Sequence, residues 1–389
     1  MASQTILVIN AGSSSLKFTV FVNDSEEPRQ ILHGQIERIT TRPRFDAHAP
    51  DGTLDKDRDL GMERAGHAAC LGFLLEWLKN HTTIHAAGHR VVHGGIHFRQ
   101  PVRVTEEILQ DLATLTPLAP LHQPHNLAAI RALEGIYPGL PQVACFDTAF
   151  HANKPPVAAI FPLPKELTAS GIRRYGFHGL SYEYIARVLP KVAPEIAQGR
   201  VVVAHLGSGA SMCAMRRGCG VETTMGLSTV DGLIMGTRCG SIDPGVIMFL
   251  AQERGMSLEE IRDILYNRSG LKGVSGISND MRELMKSTDP DAILAIDLFL
   301  YRIRQQVGAL AAALEGIDGL VFTAGIGEHA PLIRERIITA SAWMGMHLDP
   351  AANRAGGPRL TTPDSPVSAW MIPTNEEMMI AIHTRDVLA

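Results

Sequence analysis

The 389-residue chain contains no Gly-Lys dipeptide and therefore no Walker A loop. Its Gly-x-Gly segments, Gly207/Gly209 and Gly325/Gly327, carry Met212 and Ala330 where a dinucleotide fingerprint has its third glycine. Neither His-Arg-Asp nor Asp-Phe-Gly occurs, which excludes the protein-kinase signature. The five cysteines form no Cys-x-x-Cys pair and are odd in number, so buried thiols in a reducing compartment fit better than a disulfide frame or a zinc site. No apolar run approaches the roughly 20 residues that a membrane span requires. With 36 basic against 40 acidic residues and no long basic run, neither nucleic acid nor an anionic membrane is an expected partner. Met1-Ala2-Ser3-Gln4 lacks the basic start and cleavage site of a signal peptide, and the expected location is cytoplasmic.

What is present is an ordinary globular balance, 45% hydrophobic and 20% charged, in a length that suits two domains. Residues 5–22 read as a β-hairpin, 31–39 as a third strand, 84–92 and 142–147 as further strands. Helical spacing marks 63–78, through Ala65, Ala69, Phe73 and Trp77, and again 106–115, 290–314 and 375–388. A strand, a Gly/Ser turn and a second strand recur at 200–215, so each half of the chain opens with the same unit. Ser257-Leu258-Glu259-Glu260 is a capping box. The prolines at 155, 156, 162 and 164 mark a join between halves.

Several segments suit anion chemistry. Asn10-Ala11-Gly12-Ser13-Ser14-Ser15-Leu16-Lys17 offers close backbone approach, hydroxyl donors and a cation, although a polar hairpin turn needs the same residues. His205-Leu206-Gly207-Ser208-Gly209 repeats the design. Gly325-Ile326-Gly327-Glu328-His329 reads either as a phosphate or sugar site between strand and helix, or as a short loop. Arg238 stands among small residues in Met235-Gly236-Thr237-Arg238-Cys239-Gly240, and Arg90 follows a strand. Asp147 ends a strand, where α/β proteins place ligand-handling groups. Glu376 is either such a group or a carboxylate at a helix N-terminus. His178, framed by glycines, is the histidine chosen for chemistry. His89, His93 and His97 fall on a strand and a turn, which scatters them and speaks against a metal site.

These segments, with Gly88-His89-Arg90-Val91-Val92-His93-Gly94-Gly95, Cys145-Phe146-Asp147-Thr148-Ala149-Phe150-His151 and Tyr175-Gly176-Phe177-His178-Gly179, resemble acetate kinases over essentially the whole chain. The resemblance implies the α/β fold of acetate and sugar kinases, chaperones and actin: two duplicated actin-like, ribonuclease-H-like domains with an interdomain cleft. Residues 1–150 plus 374–389 would form an acyl-substrate domain, and 151–373 a nucleotide-binding and dimerisation domain. It further implies a homodimer that moves the ATP γ-phosphoryl group reversibly to acetate, giving acetyl phosphate and ADP, with Mg²⁺ (Mn²⁺ as the alternative). By motif, Asn10 and Glu376 correspond to metal positions, and Asp147, His178 and Arg238 to catalytic ones. Arg90, Val92, Leu121, Phe177 and Thr229 would meet the acid. Lys17, His205, Leu206, Gly207, Ser208, Gly209, Asp280, Met281, Arg282, Gly325, Ile326, Gly327, Glu328 and His329 would hold the nucleotide.

Three positions depart from the family pattern. Ser208 stands for an asparagine, His329 for an asparagine and Thr229 for a proline beside the acyl pocket. The last opens the alternative of a propionate or butyrate kinase. A non-catalytic actin-like nucleotide-binding module is the reading from another class.

Overall fold

Residues 4–12 and 14–389 are described by the computed structural model; Met1, Ala2, Ser3 and Ser13, the last in the segment read for anion binding, lie outside them. The chain divides into two units, one reaching residue 152 and taking back 375–389, the other spanning 153–374.

The first unit carries strands β1 (Gln4–Ala11), β2 (Ser15–Asn23), β3 (Arg29–Glu37), β4 (Arg44–Ala49), β5 (Gly52–Asp59), β6 (Ala86–Val91), β7 (Val102–Arg103) and β8 (Gln142–Phe146). They form one sheet in the order β5-β4-β3-β2-β1-β6-β8-β7. The second unit carries β9 (Arg200–Leu206), β10 (Ala210–Arg216), β11 (Cys219–Thr223), β12 (Gly319–Thr323) and β13 (Ser368–Met371), in the order β11-β10-β9-β12-β13.

The same five-strand core underlies both. In β3-β2-β1 and in β11-β10-β9 the neighbours are antiparallel, whereas β1-β6-β8 and β9-β12-β13 are parallel. The central strands are apolar on both faces, as strands covered by helices on each side must be; all five residues of β8 and of β12 are buried. The first unit extends this core with β4 and β5 at one edge and β7 at the other.

The helix read at 63–78 runs Gly66–Lys79, and its buried face is Cys70, Leu71, Leu74, Leu75, Trp77 and Leu78. Of the stripe Ala65, Ala69, Phe73 and Trp77, Trp77 belongs to that face, Ala65 and Phe73 pack partly buried at its edge and Ala69 is exposed, because the larger apolar area of the leucines decides which side turns inward. Gly325-Ile326-Gly327-Glu328-His329 is no loop: Ala324–His329 is a helix. Ala324 turns the chain out of β12 with φ +64°, and the Glu328 carboxylate accepts from its N–H at 2.8 Å. A side-chain acceptor four residues ahead closes a turn that the glycines alone would leave open.

Close approach has one clear cause in the first unit. A Cβ on Gly88 would lie 2.3 Å from Thr384 Oγ1 and 2.6 Å from Ile380, so glycine is what lets the last helix, Glu376–Leu388, press against β6. That contact brings Glu376 to the end of β6.

Candidate active site

In the first unit the carboxyl ends of β6 and β8 lie side by side, with Val91 opposite Phe146 and the Asp147 N–H bonded to the Val91 carbonyl. Arg90 and Asp147 consequently meet. Arg90 donates from Nε to Asp147 Oδ1 at 2.9 Å and from Nη2 to Oδ2 at 2.6 Å, a bidentate pair whose aspartate side chain is only 2% exposed. Glu376 Oε2 stands 3.7 Å from Arg90 Nε.

Burial disfavours the Arg90 charge, but Asp147 and Glu376 more than offset it and raise its pKa. For Glu376, burial leads, Arg90 opposes it, and Asp147 and Glu377 add repulsion; the carboxyl is pushed up to about 7. Asn10 and Lys17 face each other across the β1–β2 hairpin. Asn375 caps the last helix by accepting from Met378 N–H at 2.9 Å, which leaves Glu376 in its first turn.

The second unit places a second set. His178 caps the helix Gly179–Val192 with φ +57°, and its Nδ1 lies 2.8 Å from Ser211 Oγ. Ser211 also bonds Tyr182 Oη at 2.5 Å. The imidazole stacks on His205 with centroids 4.2 Å apart, and His205 Nδ1 is held by Ser181 Oγ at 2.9 Å. A Cβ on Gly209 would lie 3.3 Å from His178 Nε2 and 3.9 Å from Arg238 Nη1, so this glycine is where both side chains approach the turn after β9. Arg238 Nη1 donates to the Thr229 carbonyl at 3.1 Å.

The parallel pairing of Thr323 with His205 sets the helix Ala324–His329 beside the same turn, and together they border a cavity of about 440 Å³. Gly207, Ser208, Asp280, Met281, Arg282, Gly325, Ile326 and His329 line it, joined by Asn279, Met285 and Ala330. His205, Leu206, Gly209, Gly327 and Glu328 do not. His205 and Leu206 are buried in β9. Glu328 is spent on the N–H groups of Ala324 and Thr374, and the Gly327 carbonyl accepts from Arg334.

Of the residues expected to meet the acid, Arg90, Val92 and Leu121 belong to the first unit, and Phe177 and Thr229 to the second.

Sequence reading passed over Arg334 and Ser181, and met Ser211 only as the end of the Gly/Ser segment after His205. Arg334 is 1% exposed and bonds no carboxylate among the described residues; it donates to the carbonyls of Gly327, Glu328 and Asn353 and to Asn353 Oδ1. Burial lowers its pKa. It closes the C-terminal end of the helix Ala324–His329, where a cation suits the helix dipole. An arginine in the run Pro331-Leu332-Ile333-Arg334 carries no sequence mark of this duty.

Two mixed sheets with a shared five-strand plan, a bordered cavity and buried arginine–carboxylate chemistry define an α/β protein of the actin-like superfamily. The sequence matches the acetokinase family over residues 5–382. It is 54% identical to an acetate kinase of Rhodopseudomonas palustris, covering 98% of each chain, and 51% identical to an acetate kinase of Nitrobacter hamburgensis, covering 99% of this chain and 96% of that one. Among solved structures it is similar to a propionate kinase of Francisella tularensis, with TM-score 0.92 and 37% identity over 99% of this chain and 100% of the other. It is also similar to the acetate kinase of Porphyromonas gingivalis, with TM-score 0.89 and 35% identity over the same shares. The chain belongs to the acetokinase family.

Proposed function

We propose that this chain is an acetate kinase, transferring the γ-phosphoryl group of ATP directly and reversibly to acetate. The observation that carries the reading is the Arg90–Asp147–Glu376 cluster in a chain of this family. A carboxylate acceptor is already ionised at neutral pH and needs no general base. Its difficulty is repulsion: two unit charges 4 Å apart oppose each other by about 4 kcal/mol at an effective dielectric near 20, worth roughly a thousandfold in rate.

Asp147 fixes Arg90 by occupying its Nε–Nη2 edge, which turns the Nη1 side toward the acid. Arg238 and His178 stabilise the charge on the phosphoryl group in transfer. The residues lining the cavity, Asp280, Met281 and Arg282 among them, hold the nucleotide. Lys17 contacts phosphate. By motif, Val92, Leu121, Phe177 and Thr229 are the residues assigned to the acid.

Mg²⁺ fits the donor set. Asn10 and Glu376 offer an amide oxygen and a carboxylate, the oxygen ligands a hard cation takes; burial first, then Asp147 and Glu377, push the Glu376 carboxyl up against the pull of Arg90 and Lys17, and a bound cation would offset that. When bound, the ion neutralises phosphate charge.

The helix Pro244–Gln252, of sequence PGVIMFLAQ, has no buried residue, and Met248 and Phe249 are about half exposed. Such an apolar face supports a homodimer. Sedimentation should read a dimer for the parent and a monomer for Phe249→Asp; two equal sedimentation coefficients would discard this face. All five cysteines are free thiols, in keeping with a cytoplasmic location. No helix among the described residues is long and apolar enough to cross a membrane.

Trapping acyl phosphate as hydroxamate with Mg·ATP and acetate, propionate or butyrate tests the reading. Acetate is expected to give the highest kcat/KM. Thr229 and the likeness to a propionate kinase favour the second reading, a propionate kinase, if the order reverses. Nucleotide binding with no hydroxamate from any acid would leave only a binding module.

A further inference from the structure

Strands β1 and β6 run as parallel neighbours as far as Ile9 and His89 and then part. β6 continues beside β8 through Val91. Into the gap left by β1 comes the carboxamide of Asn126, 2% exposed, from the helix Gln123–Ile136. Its Oδ1 accepts from the Val92 N–H at 3.1 Å and its Nδ2 donates to the Ala11 carbonyl at 2.8 Å. One side-chain amide thus replaces the direct ladder bond at a wider spacing.

One helical turn earlier, the fully buried Gln123 treats the next residue alike. Its Oε1 accepts from His93 N–H at 3.2 Å and its Nε2 donates to the His93 carbonyl at 3.0 Å. The Gly94 N–H then goes to Thr148 Oγ1 at 3.0 Å. Three consecutive N–H groups beyond Arg90 are therefore held by side chains. A buried amide with both ends bonded to backbone cannot shift without stranding polar groups, so the segment's shape is imposed from the helix.

Asn10 precedes Ala11, and Arg90 lies two residues before Val92. The Asn126 carboxamide consequently sets the distance between the strand ends that carry them.

We propose that Asn126, backed by Gln123, is a positioning residue for the acid-binding end of the first unit, a role that rests on the acyl-kinase reading above. It fixes the spacing of Asn10 and Arg90 and the placement of Val92, and so governs affinity for the acid and discrimination by its chain length. Neither amide lines the nucleotide cavity.

The test is steady-state kinetics on the full chain with acetate, propionate and ATP varied in turn, alongside melting curves. Asn126→Ala should raise the acetate KM about tenfold or more, leave the ATP KM within about twofold, and alter the propionate-to-acetate ratio of kcat/KM. Asn126→Asp keeps the size and the acceptor for Val92 while losing the donor to Ala11; it should show a smaller change of the same kind, and it serves if the alanine variant does not fold. Folded variants with unchanged acid KM and unchanged acid ratio, or with acid and ATP KM rising together, overturn the role. Failure of the parent protein to phosphorylate any acid would instead strike the acyl-kinase reading.

Discussion

Arg90→Ala is expected to raise the acetate KM at least a hundredfold while the ATP KM stays within about twofold, in initial rates at saturating co-substrate. A hundredfold is ~2.7 kcal/mol, within the range of a charge-assisted bond to a buried carboxylate. Equal rises for both substrates would remove Arg90 from the acid. The same change strands Asp147, whose side chain is 2% exposed, and leaves Glu376 with its carboxylate neighbours. Breaking a buried pair from one side costs about 3–5 kcal/mol, so the melting temperature should fall as well. Arg90→Lys separates the two effects. Lysine keeps a charge for Asp147 but loses the planar fork, and it should recover stability more fully than acid affinity. Recovery of both in parallel would mean that charge alone matters.

Glu376→Gln carries the second large effect. The Mg²⁺ concentration giving half-maximal rate should rise at least about tenfold, because a neutral amide is a far weaker partner for a hard cation. In metal-free buffer at pH 8 the same variant should melt higher than the parent. The folded carboxyl titrates at about 7 against an ordinary 4.5. Between those values the native state holds a proton that the unfolded chain has released, so stability falls as pH rises through that window and the loss is complete above pH 7. The gap is worth on the order of 3 to 4 kcal/mol at most, which glutamine avoids. Parent and variant melting alike at pH 8, yet apart at pH 5, would contradict this sign. Greater stability with lower activity is the usual mark of a group kept for function.

Much of the layout was legible before any coordinates. The hairpin at 5–22 and the strand–turn–strand at 200–215 announce themselves by apolar runs broken at Gly and Ser, and they prove to be the first two strands of each five-strand core. Their likeness in sequence reflects identical neighbours in the sheet. The helix Gln123–Ile136 escaped notice, although Asn126 and Gln123 on it shape the acid-binding end. Its start, Leu121-His122-Gln123-Pro124-His125-Asn126, is rich in polar residues, and periodicity cannot distinguish a buried amide that grips backbone from a solvated one. The helix Ala324–His329 read as a loop for a related reason. Two glycines in six residues argue against helix locally, and the Glu328 and Arg334 side chains that close it act through tertiary contacts.

Residue identities along the chain were enough to establish the family, the reaction class it favours and the side chains able to carry charge. Those properties follow from chemical type and from short-range spacing, which a linear string preserves. Folding alone revealed which of those side chains meet. Asp147 engages Arg90 from 57 residues away, and His178 Nδ1 finds Ser211 33 residues downstream. It also revealed that the buried Arg334 donates to backbone carbonyls and to Asn353. Such pairings depend on strand order and helix docking, and burial then changes how strongly each group holds its proton, a quantity set by surroundings that no adjacent residue encodes.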